Sequence, residues 1–132
     1  MTIEANKVNR PDQVVRDFFN ILEKSVNLTQ LTDQRINVPT VQIKYFASYL
    51  NLHPNYLSNV IKRFTGETVC HWVRIKILSV AMEALKVDEL SIKQISFGLY
   101  FSDPSHFSNF FKRHMNCTPL EYRESIIIQK RE

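Results

Sequence analysis

Along most of this chain apolar residues return every three or four positions rather than every second one, and glycine appears only twice. That pattern predicts helices throughout and no sheet. Pro11 is placed as the first-turn proline of a helix running to about Ser25, with Val14, Val15, Phe18, Ile21 and Leu22 inward. Residues 1–10 read as linker, and the stretch from Asn27 to Pro39, which has little periodicity and ends in Val-Pro, reads as a loop. Thr40 caps a second helix carrying Val41, Ile43, Phe46, Ala47 and Leu50, broken at Asn51. Pro54 opens a third that runs to Phe64 and turns Leu57, Val60, Ile61 and Phe64 to one face, with Gly66 suited to a left-handed carboxyl cap. Thr68 caps the fourth and longest, which extends through about Lys86 and buries Trp72, Val73, Ile77, Val80, Ala81 and Leu85. Ser91-Ile92-Lys93-Gln94 has the form of a capping box and opens a fifth. Asp103-Pro104 starts a sixth, with Phe107, Phe110, Phe111 and His114 inward. Thr118-Pro119-Leu120-Glu121 starts a seventh, whose run Ile126-Ile127-Ile128 reads as its buried end, the alternative being a partner-binding patch. The expected fold is all-α, ordered as one helix, a helix pair, a long connector, a second helix pair and a closing helix.

One part of the pattern is written twice. Pro54-Asn55-Tyr56-Leu57-Ser58-Asn59-Val60-Ile61-Lys62-Arg63 lines up with Pro104-Ser105-His106-Phe107-Ser108-Asn109-Phe110-Phe111-Lys112-Arg113, fifty positions on, and the match continues to Thr68 and Thr118. Opposite its apolar face the third helix carries Asn55, Ser58, Asn59 and Lys62, and the sixth carries Ser105, Ser108, Asn109 and Lys112. Neither outward face holds an acid, which would repel phosphate, whereas a helix that only solvates itself usually carries Glu and Lys in pairs. The bland alternative is exposed polar filler or local caps. The repetition favours one polar surface presented to two equivalent features of one partner, and double-stranded DNA, with its successive major grooves, is such a partner. An Asn amide donates to and accepts from the adenine edge together, and Ser meets either kind of base group. Lys62, Arg63, Lys112 and Arg113 lie one turn further on, where phosphate contacts that fix register are expected. The fourth helix spans about 27 Å at roughly 1.5 Å per residue, near the roughly 34 Å between successive major grooves on one side of a duplex.

Composition narrows the partners. The chain has 132 residues and 44% apolar content, enough for one folded domain or two very small ones and too apolar for wholesale disorder. Its formal charge is +4, which suits an anionic partner. From Leu52 onward eleven Lys or Arg face eight acids, against six and five before it, so the excess lies with the repeat. Cys70 and Cys117 show no C-x-x-C spacing, so neither a zinc knuckle nor a redox motif is written and a reducing cytoplasm is expected. His53, His71, His106 and His114 lack finger-like ligand spacing, so no metal is expected. Cys70 and His71 are neighbours on a helix, pointing about 100° apart, and cannot easily pair as nucleophile and base. No enzyme activity and no cofactor are expected. No apolar run reaches the length of a membrane span and no signal peptide is written, so the protein is expected to be soluble, cytoplasmic and without a membrane partner.

The segment Ile95 to Arg113, followed by Cys117-Thr118-Pro119-Leu120-Glu121-Tyr122-Arg123, resembles the signature of the AraC/XylS family of transcription regulators around its second helix-turn-helix. There F-x-D-x-S, F-S-x-x-F-K and T-P-x-x-Y/F-R recur in order. Ala47 to Lys62 is similar to the family's first helix-turn-helix, and helix order extends the match over roughly residues 10 to 125. The resemblance implies a seven-helix module at 11–128, with helix-turn-helix units at about 41–66 and 91–115 joined by a connector at about 68–86. It implies two recognition helices in adjacent major grooves. Carried onto this chain, the base-reading residues would be Asn55, Ser58 and Asn59 in the first unit and Ser105, His106 and Asn109 in the second, with Lys62, Arg63, Ser108, Lys112 and Arg113 on phosphates. Family members usually add an amino-terminal domain that binds effector or dimerises, which is expected to lie outside this chain, although short free-standing members also exist; RNA polymerase is a further expected partner. Tyr100 stands where the family usually has a glycine; either the turn keeps the family backbone at a cost of about 1 to 2 kcal/mol or it takes another course. Asn116 replaces a second glycine mildly. Arginine is missing from the base-reading positions, which predicts a site richer in A·T than G·C. The expected function is sequence-specific binding of double-stranded DNA for transcription regulation; the alternative is a helical protein-interaction module that contacts the transcription machinery without reading DNA.

Overall fold

The computed structural model describes residues 10–27 and 43–131, except the side chains of 130 and 131, and holds among them seven helices and no strand. These are α1 (Pro11–Ser25), α2 (Ile43–Tyr49), α3 (Pro54–Thr65), α4 (Val69–Leu85), α5 (Ile92–Gly98), α6 (Pro104–Met115) and α7 (Pro119–Arg131). The expected linker up to residue 9, the loop after Asn27, and Thr40 and Val41 at the start of the second helix lie outside the described residues.

Helix ends fall where local chemistry satisfies the free backbone groups. Before α3, His53 Nδ1 accepts from the Asn55 N–H at 3.1 Å; after it, Gly66 sits at φ 85 and sends its N–H to the Lys62 carbonyl at 3.0 Å. Thr68 Oγ1 accepts from the His71 N–H at 3.1 Å to open α4. Both halves of the Ser91/Gln94 capping box form, at 3.0 and 2.9 Å, and so do both halves of the Thr118/Glu121 box, at 3.1 and 2.8 Å. Asp103 Oδ1 accepts from the His106 N–H at 3.0 Å to open α6, and Asn116 closes that helix at φ 63.

The described residues divide into two units, one from 10–25 and 43–76, the other from 26–27 and 77–131, with the division inside α4. In the first, α3 packs on α1 and α2. Val14, Phe18, Ile21, Leu22, Phe46, Ala47, Leu57, Val60 and Ile61 are buried there, and the Phe18 and Phe46 rings meet edge to face at 5.1 Å. Trp72 is half-buried; its indole N–H donates to Thr65 Oγ1 at 2.8 Å and its ring meets Phe19. In the second unit α6 packs on α5 and α7, burying Ile95, Leu99, Phe107 and Phe111, with Phe111 against Tyr122 at 5.6 Å. Fully burying each such Phe stabilises by about 2 to 3 kcal/mol.

Several expected core positions differ, Phe110 and His114 among them as half-buried. Phe64 is 57% exposed although it shares a face with Leu57 and Ile61, because burial on α3 stops at Ile61 and Phe64 lies in the last turn before the cap. Val15 is half-buried. Ile127 and Ile128 are exposed and Ile126 half-buried, since three consecutive helical residues point about 100° apart and cannot share one buried face.

Candidate nucleic-acid interface

The two helix pairs are copies of each other beyond the segment where sequence identity is plain. α2 and α5 each have 7 residues and start 49 positions apart; α3 and α6 each have 12 and start 50 apart. Between the helices, the Leu52 N–H reaches the Ala47 carbonyl at 2.8 Å and the Phe101 N–H reaches the Ser96 carbonyl at 3.0 Å, with Asn51 at φ 57 and Tyr100 at φ 72. Both turns thus close through a left-handed residue and a bond six residues round, the Schellman arrangement. Ala47 and Ser96, the paired small residues, are both buried. The Ser96 hydroxyl turns back to the Ile92 carbonyl at 2.8 Å, which leaves no orphaned polar atom. A single additional residue in the second turn explains the change of offset, and it hid this half of the repeat from the sequence reading. The signal was present: Ile43-Lys44 and Leu50 answer Ile92-Lys93 and Leu99 at a spacing of 49.

On α3, Asn55, Asn59, Lys62 and Arg63 are exposed and Ser58 is half-buried; on α6, Ser105, His106, Asn109, Lys112 and Arg113 are exposed and Ser108 is half-buried. Each unit therefore gathers its own expected contact residues on one helix. The amides of Asn55, Asn59 and Asn109 make no hydrogen bond among the described residues, so a base edge would displace only water from them. Others are held. Lys62 Nζ donates to the Gly66 carbonyl at 3.1 Å. The His106 ring lies with Nδ1 2.7 Å from Ser102 Oγ and Nε2 3.5 Å from Asp103 Oδ2. The Thr118 backbone N–H, and then its hydroxyl, hold the Glu121 carboxyl below the usual range against slight desolvation, and the Lys112 charge adds the smallest contribution.

The family model described as "Helix-turn-helix domain" matches residues 46–125, from within α2 through α3, α4, α5 and α6 into α7. The chain belongs to the AraC/XylS family of transcription regulators. It is 32% identical over 115 residues to the probable transcription factor PqrA of Proteus vulgaris, covering 86% of each chain. It is 30% identical over 99 residues to the regulatory protein YesN of Bacillus subtilis, covering 73% of this chain but 27% of YesN. Among solved structures, the C-terminal domain of AraT, a response regulator of Geobacillus stearothermophilus, is 26% identical with a TM-score of 0.68, over 85% of this chain and 84% of that one. The DNA-binding domain of AdpA, solved with a target DNA, shares the fold at a TM-score of 0.64 and 15% identity, over 71% of this chain and 85% of that one.

Against the AraC/XylS pattern, Tyr100 keeps the positive φ of the usual glycine, so the family turn survives a bulky residue. Arg123, the last residue of the T-P-x-x-Y/F-R motif, has a structural task that spacing did not reveal. Its guanidinium donates to the carbonyls of Leu85, Val87 and Leu90 at 2.9, 3.1 and 2.7 Å, closing the carboxyl end of α4 and the turn after it. Among the described residues no helix is long and apolar enough to cross a membrane, and no group of three or more His, Cys, Asp or Glu side chains is arranged to hold a metal ion.

Proposed function

We propose that this chain regulates transcription by sequence-specific binding of double-stranded DNA, α3 and α6 entering successive major grooves. One observation carries the reading: two 12-residue helices, built on matching helix-turn-helix frames, each show an exposed polar face without an acid. Asn55, Ser58 and Asn59 read bases in one groove, and Ser105, His106 and Asn109 read them in the next. Lys62, Arg63, Ser108, Lys112 and Arg113 hold phosphates. What supports a two-groove span is the length of α4, whose 17 residues rise about 25 Å, joining units of about 41–66 and 91–115 within a domain at 11–128. The reading requires no cofactor and no bond-making step, and it is set in the cytoplasm. RNA polymerase and an amino-terminal effector or dimerisation domain belong to the same proposal; the chain covers 27% of YesN but 86% of PqrA, so relatives of both lengths carry this module.

Binding that depends on phosphate contacts weakens steeply with salt. Replacing Lys62 and Lys112 together by Ala is expected to flatten the slope of log affinity against log salt by roughly two units at most. Fluorescence anisotropy with a labelled duplex measures it, and an unchanged slope removes these two lysines from the interface. A second reading, a module that docks on the transcription machinery without reading DNA, is favoured by the exposure of Leu120, Ile127 and Ile128 on α7. Such a module binds no duplex in the same titration.

A further inference from the structure

The second helix-turn-helix differs from the first at one place that bears on what it reads. Its turn has a residue more, and that turn presents Ser102, whose Oγ lies 2.7 Å from His106 Nδ1. In the first unit the position of His106 on the recognition helix is taken by Tyr56, and the turn before α3 runs directly from Leu52 to His53. On the other side of the imidazole, Nε2 lies 3.5 Å from Asp103 Oδ2. An ionised carboxylate only accepts hydrogen bonds. A proton on Nε2 suits this carboxylate neighbour, and in that neutral tautomer Nδ1 is the acceptor for the Ser102 hydroxyl.

We infer that Ser102 is a positioning residue for base recognition: by donating to Nδ1 it fixes His106 as an Nε2–H donor at the exposed edge of α6. The inference rests on the DNA reading above and deepens it. At 3.5 Å the approach to Asp103 is long for a hydrogen bond, and the His106 side chain is 64% exposed, so an Nε2–H stays open to another acceptor. In the major groove guanine shows two acceptors at N7 and O6, thymine one at O4, and cytosine only a donor at N4. A fixed donor favours guanine and disfavours cytosine at one position of the second half-site. The first half-site has no equivalent, because a phenol replaces the imidazole and no side chain corresponds to Ser102. The two halves of the target are then unlike at this position, within a site otherwise rich in A·T.

Two measurements on the full chain test this. Ring nitrogen NMR shifts of His106 at neutral pH, without DNA, are expected to show a protonated Nε2 and a bare Nδ1 in the wild type, with the tautomers mixed in Ser102→Ala. A mixed wild-type ring, or an unchanged one in Ser102→Ala, overturns the positioning role. Selection of bound sites from a random duplex pool is then run with the wild type, Ser102→Ala and His106→Ala, each checked for an unchanged melting temperature. Both variants are expected to lose preference at the same single position of one half-site, by about fivefold as for one hydrogen bond, while the remaining motif is kept. Loss in His106→Ala but not in Ser102→Ala overturns the role of Ser102, and loss in neither overturns both. A wild type that selects no motif at all defeats the DNA reading itself, whereas the ring shifts still decide the tautomer.

Discussion

Tyr100 holds φ 72 in the turn between α5 and α6, a conformation that costs an L-residue about 1 to 2 kcal/mol. Replacing it by glycine removes that cost, and a half-buried ring is lost in exchange. Tyr100→Gly is expected to be the more stable protein by about 1 kcal/mol, seen as a rise of a few degrees in a thermal melt; a fall shows that packing of the ring outweighs the backbone strain. Glu121 makes a prediction about pH. Its carboxyl is held below the usual range by the Thr118 N–H and hydroxyl, so its contribution is present above the ordinary glutamate value of about 4.3 and fades as pH falls through the lower folded value. The melting-temperature gap between the wild type and Glu121→Gln is therefore expected to be constant near neutrality and to shrink below about pH 4.

Short elements depend on their ends. A helix of 7 residues such as α5 has few internal backbone bonds, so its capping box and its burial of Ile95 and Ser96 decide whether it forms. The end of α4 depends on a residue 38 positions away from Leu85 in the chain, Arg123 on α7. Arg123→Ala leaves three carbonyls without their charged donor and is expected to destabilise by about 3 kcal/mol. Lysine at the same place recovers only part, because one ammonium cannot copy a planar fork that reaches three acceptors. Chemical denaturation of the three proteins measures both effects, and equal stability of the alanine variant would mean that water replaces the guanidinium fully.

For the molecule as a whole, duplication makes a prediction that a single reading helix does not. Asn59→Ala and Asn109→Ala are each expected to cost about 1 to 3 kcal/mol of discrimination, and to relax different halves of the bound site while its spacing stays the same. Competition binding with duplexes altered in one half at a time measures this. If both variants relax the same half, the two helices do not read separate grooves.

Helix starts, the all-α fold and the repeated polar face were legible in the sequence because each is set within about one helical turn. Ser91 with Gln94, Thr118 with Glu121, Pro54 and Pro104 act on backbone groups three or four residues away. The signature around Phe101 to Arg113 located the second unit for the same reason, being one continuous run. Packing decided the rest. Phe64 has the right phase to be buried and yet is exposed, since phase names a face and only a covering element buries it. Tyr100 showed its positive φ, Arg123 its distant carbonyls and Ser102 its imidazole only once the chain had turned, because those contacts depend on how a turn closes and on which helix end comes back beside it.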